Sequence, residues 1–131
     1  MTINDFSIGD KFVYLHRKVM CVPYSRFNYG YDINAVDIKT GTALYIPKER
    51  QVRPIKIHFS YAAQDSVKTF DKLFIGDKFF YNEKLLIKSN SFVNSKLDRV
   101  NAFCLTNGRQ YCIWDNEEIY PAYEIKKKYS E

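Results

Sequence analysis

The chain has 131 residues and a net charge of +5, with 46% hydrophobic and 27% charged residues; these proportions exclude wholesale disorder and predict a globular protein. No stretch approaches the roughly 18 apolar residues that span a membrane as a helix. The opening MTINDFSIGD has neither the basic nor the apolar region of a signal peptide, and the odd cysteine count (Cys21, Cys104, Cys112) points to a reducing compartment, so the expected location is cytoplasmic.

Eleven Tyr, ten Phe and one Trp make up 17% of the chain. Such residues favour pleated, half-buried surfaces, and the expected class is all-β. In chain order, Gly9-Asp10 before an alternating apolar run reads as a turn feeding a strand over Lys11 to Leu15, and Lys18 to Pro23 reads as the second strand. A polar loop, Ser25 to Asp32, follows. A hairpin then turns at Thr40-Gly41, and a short fifth strand ends at Pro54, where a missing N–H suits a strand end.

Sliding the chain by the interval from Ile8 to Ile75 repeats this series. Ile8-Gly9-Asp10-Lys11-Phe12 falls on Ile75-Gly76-Asp77-Lys78-Phe79, Tyr14 on Tyr81, Asn34-Ala35 on Asn101-Ala102, Gly41 on Gly108 and Pro54 on Pro121. Val36, Ile38, Ile46 and Val52 fall on Phe103, Leu105, Ile113 and Ile119. The second series runs through strands at Lys78 to Tyr81 and Lys84 to Lys88, a loop at Ser91 to Asp98, and a hairpin at Asn107-Gly108, a pair suited to a type I′ turn. The chain is expected to divide into a first module at 1–59, a linker at 60–72 and a second module at 73–131 with a basic tail. Asp65-Ser66 either caps a short helix over Val67 to Phe70 or belongs to a plain connector.

Five short strands with a long loop between the second and third form an SH3-like barrel pattern. The Gly-Asp-Lys-Phe opening resembles the start of SH3-like modules of the KOW and Tudor type, although the later glycine of KOW motifs is absent from both copies. The expected fold is therefore two tandem five-stranded SH3-like barrels related by internal duplication. The Gly-Asp-Phe opening, Asn-Ala pair, Thr-Gly or Asn-Gly hairpin and closing Pro also resemble modules in small accessory proteins of bacteriophages. That resemblance implies a host protein as partner and the host cytoplasm as location.

A two-residue turn at Asn107-Gly108 sets Phe103 opposite Cys112 and Cys104 opposite Tyr111. The face carrying Val36, Ile38, Phe103 and Leu105 then becomes each barrel's core. The other face still carries Leu44, Ile46, Tyr111 and Ile113, and apolar residues on both faces imply a second buried surface. These four are expected to pack module against module, or against a second chain as a dimer. The same register separates Cys104 from Cys112, and all three cysteines are expected as small buried hydrophobes.

No catalytic motif stands out, and no enzyme, cofactor or metal site is expected. His16 and His58 have no counterparts in the other copy, and neither sits at a metal-ligand spacing. Asp10 and Asp77 are repeated, but Asp after Gly accepts backbone N–H bonds in turns. The loop residues that differ between copies carry the functional signal. Tyr24, Arg26, Phe27, Tyr29 and Tyr31 have the composition of a paratope and are assigned the main partner contact; the competing reading is that these rings cover the barrel end. A nucleic-acid alternative uses Arg17, Lys18, Arg50, Arg53, Lys126, Lys127 and Lys128 to neutralise phosphates. It is opposed by Asp115, Glu117 and Glu118 in the second copy. A virion or scaffold component is the third reading.

Overall fold

The computed structural model describes residues 1–26 and 32–125. The first copy contains β1 (Lys11–Tyr14), β2 (Arg17–Arg26), β3 (Asp32–Asp37), β4 (Ala43–Leu44) and β5 (Arg53–Ile55). Between the copies lie β6 (Tyr61–Ala63) and β7 (Lys68–Thr69). The second copy continues with β8 (Lys78–Tyr81), β9 (Lys84–Val93), β10 (Arg99–Cys104), β11 (Gln110–Tyr111) and β12 (Glu118–Glu124). The all-β class holds. One antiparallel sheet runs β4-β3-β2-β1-β5 and the other β11-β10-β9-β8-β12-β6, with β7 also on β12.

The repeat survives in atomic detail. Gly9 and Gly76 have φ of 96° and 98°, Gly41 and Gly108 of 76° and 73°. Ser7 N–H donates to Asp10 Oδ2, and Phe74 N–H to Asp77 Oδ2, both at 2.8 Å. The Asn34 amide bonds both main-chain groups of Ile46 (2.9 and 2.8 Å), as Asn101 does those of Ile113 (2.8 and 2.9 Å). The equivalence also extends upstream of the expected start. The 3-10 turn Phe70–Lys72 matches the turn Ile3–Asp5. The Met1 carbonyl accepts from Val52 N–H where β7 pairs with Ile119. Val67 to Phe70 therefore holds a strand and the start of a 3-10 turn rather than an α-helix.

Neither sheet closes into a barrel, because β4 does not pair with β5 nor β11 with β12. The reason lies in what covers each face. One cluster belongs to the first copy alone, with Phe12, Val19, Ala35, Ile46 and Val52 at its centre and Leu44 at its margin. A matching cluster belongs to the second: Phe79, Leu86, Ala102, Ile113 and Ile119, with Tyr111 at the margin. The third is shared. It joins Met20, Val22, Ile33, Val36 and Ile38 to Ile87, Phe92, Val100, Phe103 and Leu105. Each open sheet thus has its second face covered by the other copy rather than by its own curling edge.

The two faces therefore exchange the roles expected from sequence. Leu44, Ile46, Tyr111 and Ile113 line the cores within the copies, and the Val36–Ile38 and Phe103–Leu105 face makes the joint between them. The division into two apolar faces survives because the register shift is even. The Asn107-Gly108 turn is longer than two residues, with Phe103 opposite Gln110 and Ala102 opposite Tyr111, and Gly108 N–H donates to Cys104 O. The two-residue turns with both residues at positive φ fall instead at Leu15-His16 and Asn82-Glu83.

The glycines explain themselves at the joint. A Cβ on Gly41 would lie 2.3 Å from Lys88 O and 2.6 Å from Gly76 N; one on Gly108 would lie 2.6 Å from Gly9 N. Each copy's Gly-Asp turn thus meets the other copy's hairpin turn, backbone against backbone. Reciprocal pairing of this kind is the geometry of a two-fold dimer interface, here within one chain.

Candidate functional site

The cores of the two copies match at most positions, from Phe12 and Phe79 to Val52 and Ile119, and part at a few. The sharpest difference is at one strand position. Cys21 on β2 corresponds to Lys88 on β9. Lys88 Nζ donates to Leu73 O (2.7 Å) and Phe70 O (3.2 Å) and sits 4.4 Å from the centre of the Phe70 ring. It fills the space beneath the second copy's 3-10 turn.

Cys21 is too short to do the same. The equivalent space in the first copy is an open pocket of about 540 Å³, floored by Ile3, Phe6, Cys21 and Val22 and rimmed by Tyr24, Tyr45 and Lys48. Burial, aided by the Asp10 carboxylate, pushes the Cys21 thiol up; it stays protonated at neutral pH and is a poor nucleophile. Cys104 is also buried, but Cys112 is exposed, a departure from the expected burial of all three. Among the described residues no group of three or more His, Cys, Asp or Glu could hold a metal ion.

Two of the five assigned contact residues stand on the rim or beside it. Tyr24 is 56% exposed and its hydroxyl donates to Asp32 Oδ2 at 2.7 Å. That hydrogen bond, more than burial, holds its phenol above the ordinary range. Arg26 is exposed, and its backbone N–H donates to Ser95 Oγ of the second copy (3.0 Å). The end of β2 is thereby tethered to the second copy's loop. There Asn94 Oδ1 accepts from Lys96 and Asp98 N–H, and Leu97 stands out at positive φ, 82% exposed. Phe27, Tyr29 and Tyr31 lie outside the described residues. Tyr45 and Lys48 join the site from structure alone. The mismatch of Cys21 with Lys88, a small thiol against a long cation at an interior position of the repeat, was the sequence signal for the pocket.

The basic residues are dispersed. Arg17 is committed to Asp37, with Nε 2.7 Å from Oδ2. Burial alone would raise the Asp37 carboxyl, but the Thr40 N–H, the Arg17 guanidinium and the Lys39 N–H together hold it below the usual carboxylate value. Lys18 and Arg53 both lie opposite Val13, one on each side, and so share a face. The matching row in the second copy is Leu85–Phe80–Tyr120, which carries no charge. Arg50 is exposed on the segment before β5. Lys126, Lys127 and Lys128 fall outside the described residues.

The molecule is thus an all-β protein of two like halves, with one half's pocket open and the other's filled. No family model matches this chain, and no curated protein or solved structure matches it either. No helix among the described residues is long and apolar enough to cross a membrane.

Proposed function

We propose that this is a non-enzymatic binding protein that recognises another protein through the first copy's open end. The observation that carries the reading is the asymmetry between copies: the same pocket is open and ringed by Tyr24, Tyr45 and Lys48 in one half, and occupied by Lys88 in the other. A pocket beside exposed Tyr and Arg suits anchoring of a partner side chain, with the surrounding groups excluding water. Catalysis is disfavoured by the state of the available groups. The Asp10 and Asp77 carboxylates are held by their own turns, and the Cys21 thiol is kept protonated. The resemblance of the Gly-Asp-Phe opening, Asn-Ala pair and hairpin turns to modules of small bacteriophage accessory proteins makes a host protein, of the defence class, the proposed partner, disabled by occlusion in the host cytoplasm.

The test follows the second copy's own solution. Cys21→Lys should fill the first pocket as Lys88 fills the second, while Tyr24→Ala with Arg26→Ala removes the rim. Affinity capture from host lysate is expected to recover a discrete protein with the parent chain and to lose it with both variants, at unchanged melting temperature. Capture unaffected by either variant contradicts the reading. The nucleic-acid reading is tested by titrating labelled DNA and RNA at two salt concentrations. Phosphate-driven binding weakens steeply with salt, and Lys18→Glu with Arg53→Glu should then abolish it.

A further inference from the structure

The two copies differ again at the last strand. In the second, β12 pairs with β8 through Tyr120 and Pro121 and carries β6 beside it, with Ala122, Tyr123 and Glu124 opposite Ala63, Ala62 and Tyr61. Gln64 N–H donates to the Pro121 carbonyl at 2.8 Å, and Pro121 is buried. In the first copy β5 pairs with β1 in the same way, Pro54 standing where Pro121 does, but β5 is the edge of its sheet. Pro54 is exposed there. Beside it runs an open cleft of about 500 Å³ between Met1 and Phe6 on one wall and Pro54, Ile55 and Lys56 on the other. The equivalent cleft under β12 is about 240 Å³ and includes Gln64 of the covering segment.

We infer that the β5 edge accepts an extended acidic segment of a partner protein as an added antiparallel strand, in the place β6 takes on β12. The backbone geometry comes from within the molecule: an incoming N–H meets the Pro54 carbonyl as that of Gln64 meets the Pro121 carbonyl. The charge comes from the substitutions around it. Tyr120 and Tyr123 flank Pro121, whereas Arg53 and Lys56, both exposed, flank Pro54. Lys11 adds a third cation to the cleft. The cleft's two carboxylates are engaged by neighbouring turn N–H groups, Asp5 by Thr2 and Asp10 by Ser7. Main-chain pairing supplies affinity and the cations select sign, which is how sheet edges recognise peptides. The cleft meets the Cys21 pocket at Phe6, which lines both, but its other walls are its own, and the inference does not rest on that pocket's role.

The experiment is a fluorescence anisotropy titration of the intact chain with the labelled peptide EYAAEDE, patterned on β6 with added carboxylates. Saturable binding is expected, with hydrogen exchange slowed at Lys56, which stands where Tyr123 faces β6, and unchanged at Ile55, whose N–H faces β1. The basic analogue KYAAKNK should bind about tenfold more weakly, as should EYAAEDE to the Arg53→Glu, Lys56→Glu variant. The acidic peptide methylated on alternate backbone nitrogens should not bind, because it keeps the charges and loses the donors. Absence of saturable binding overturns the inference and leaves Arg53 and Lys56 as guards against edge-to-edge association. Equal binding of the methylated peptide overturns strand addition. Competition at this edge by a labelled oligonucleotide that binds more tightly than the peptide overturns the choice of partner.

Discussion

Asn34 and Asn101 show how much one side chain can fix. Each sits buried on the third strand of its copy and offers its amide to both main-chain groups of the residue twelve positions on, Ile46 or Ile113. It thus stands in for a peptide unit of a missing strand and seats an isoleucine in the core. Asn101→Ala would strand a buried N–H and C=O, and a loss of about 2–3 kcal/mol is expected in urea unfolding. Gly108→Ala meets a different obstacle, a Cβ pressed on Gly9 N at positive φ, and should cost about 2 kcal/mol or more by the same assay. Leu15 and His16 occupy a two-residue turn with φ of 48° and 65°, a region that disfavours Leu and that His tolerates less well than Gly. Leu15 is 69% exposed, so Leu15→Asn with His16→Gly should relieve the turn and stabilise the protein by about 0.5–1 kcal/mol. Asp37 sets an acid limit. Its folded-state pKa is depressed, so its contribution is complete above the unfolded value near pH 4 and is lost as pH falls through the folded value. In Asp37→Asn, stability should drop at neutral pH and its decline in acid should become shallower.

At the level of strands, the sequence was legible wherever local chemistry decides and misleading wherever partners do. Alternation placed β1 and β8 to within a residue, and the repeated Gly-Asp marked turns that the structure contains. The two-faced pattern of the third and fourth strands correctly demanded two buried surfaces. Which surface faced the copy's own core could not be read, because Val36 and Ile46, or Phe103 and Ile113, are equally apolar and only the arrangement of the two sheets separates them. The Asn-Gly pair pointed to a tight hairpin, but the close approach of Gly9 selects a wider turn at Gly108. Tyr61–Ala63 gave no strand signal, since its pairing to β12 is supplied by the other strand. Tyr24 and Arg26, singled out by composition, stand at or beside the pocket, whereas the pocket itself depended on Cys21 being short. Phe103, stacked with Phe92 at a centroid distance of 6.0 Å in the shared cluster, reports on the joint between copies. Phe103→Ala should cost about 3–5 kcal/mol and destabilise both halves together.

The whole molecule reads as a two-fold dimer tied into one chain. Modules of this size bury little surface alone, and here each exposes an apolar face that only the other covers. Tethering lets the halves diverge without losing each other. One has an open pocket and an edge flanked by cations; in the other the pocket holds Lys88 and β6 covers the edge. The shared cluster makes the two copies one cooperative unit, and the decisive experiment is differential scanning calorimetry of the intact chain beside fragments 1–59 and 60–131. The expected result is a single transition for the intact chain, with matching van't Hoff and calorimetric enthalpies, and no cooperative transition in either fragment. Two transitions in the intact chain, each reproduced by its isolated fragment, would contradict it.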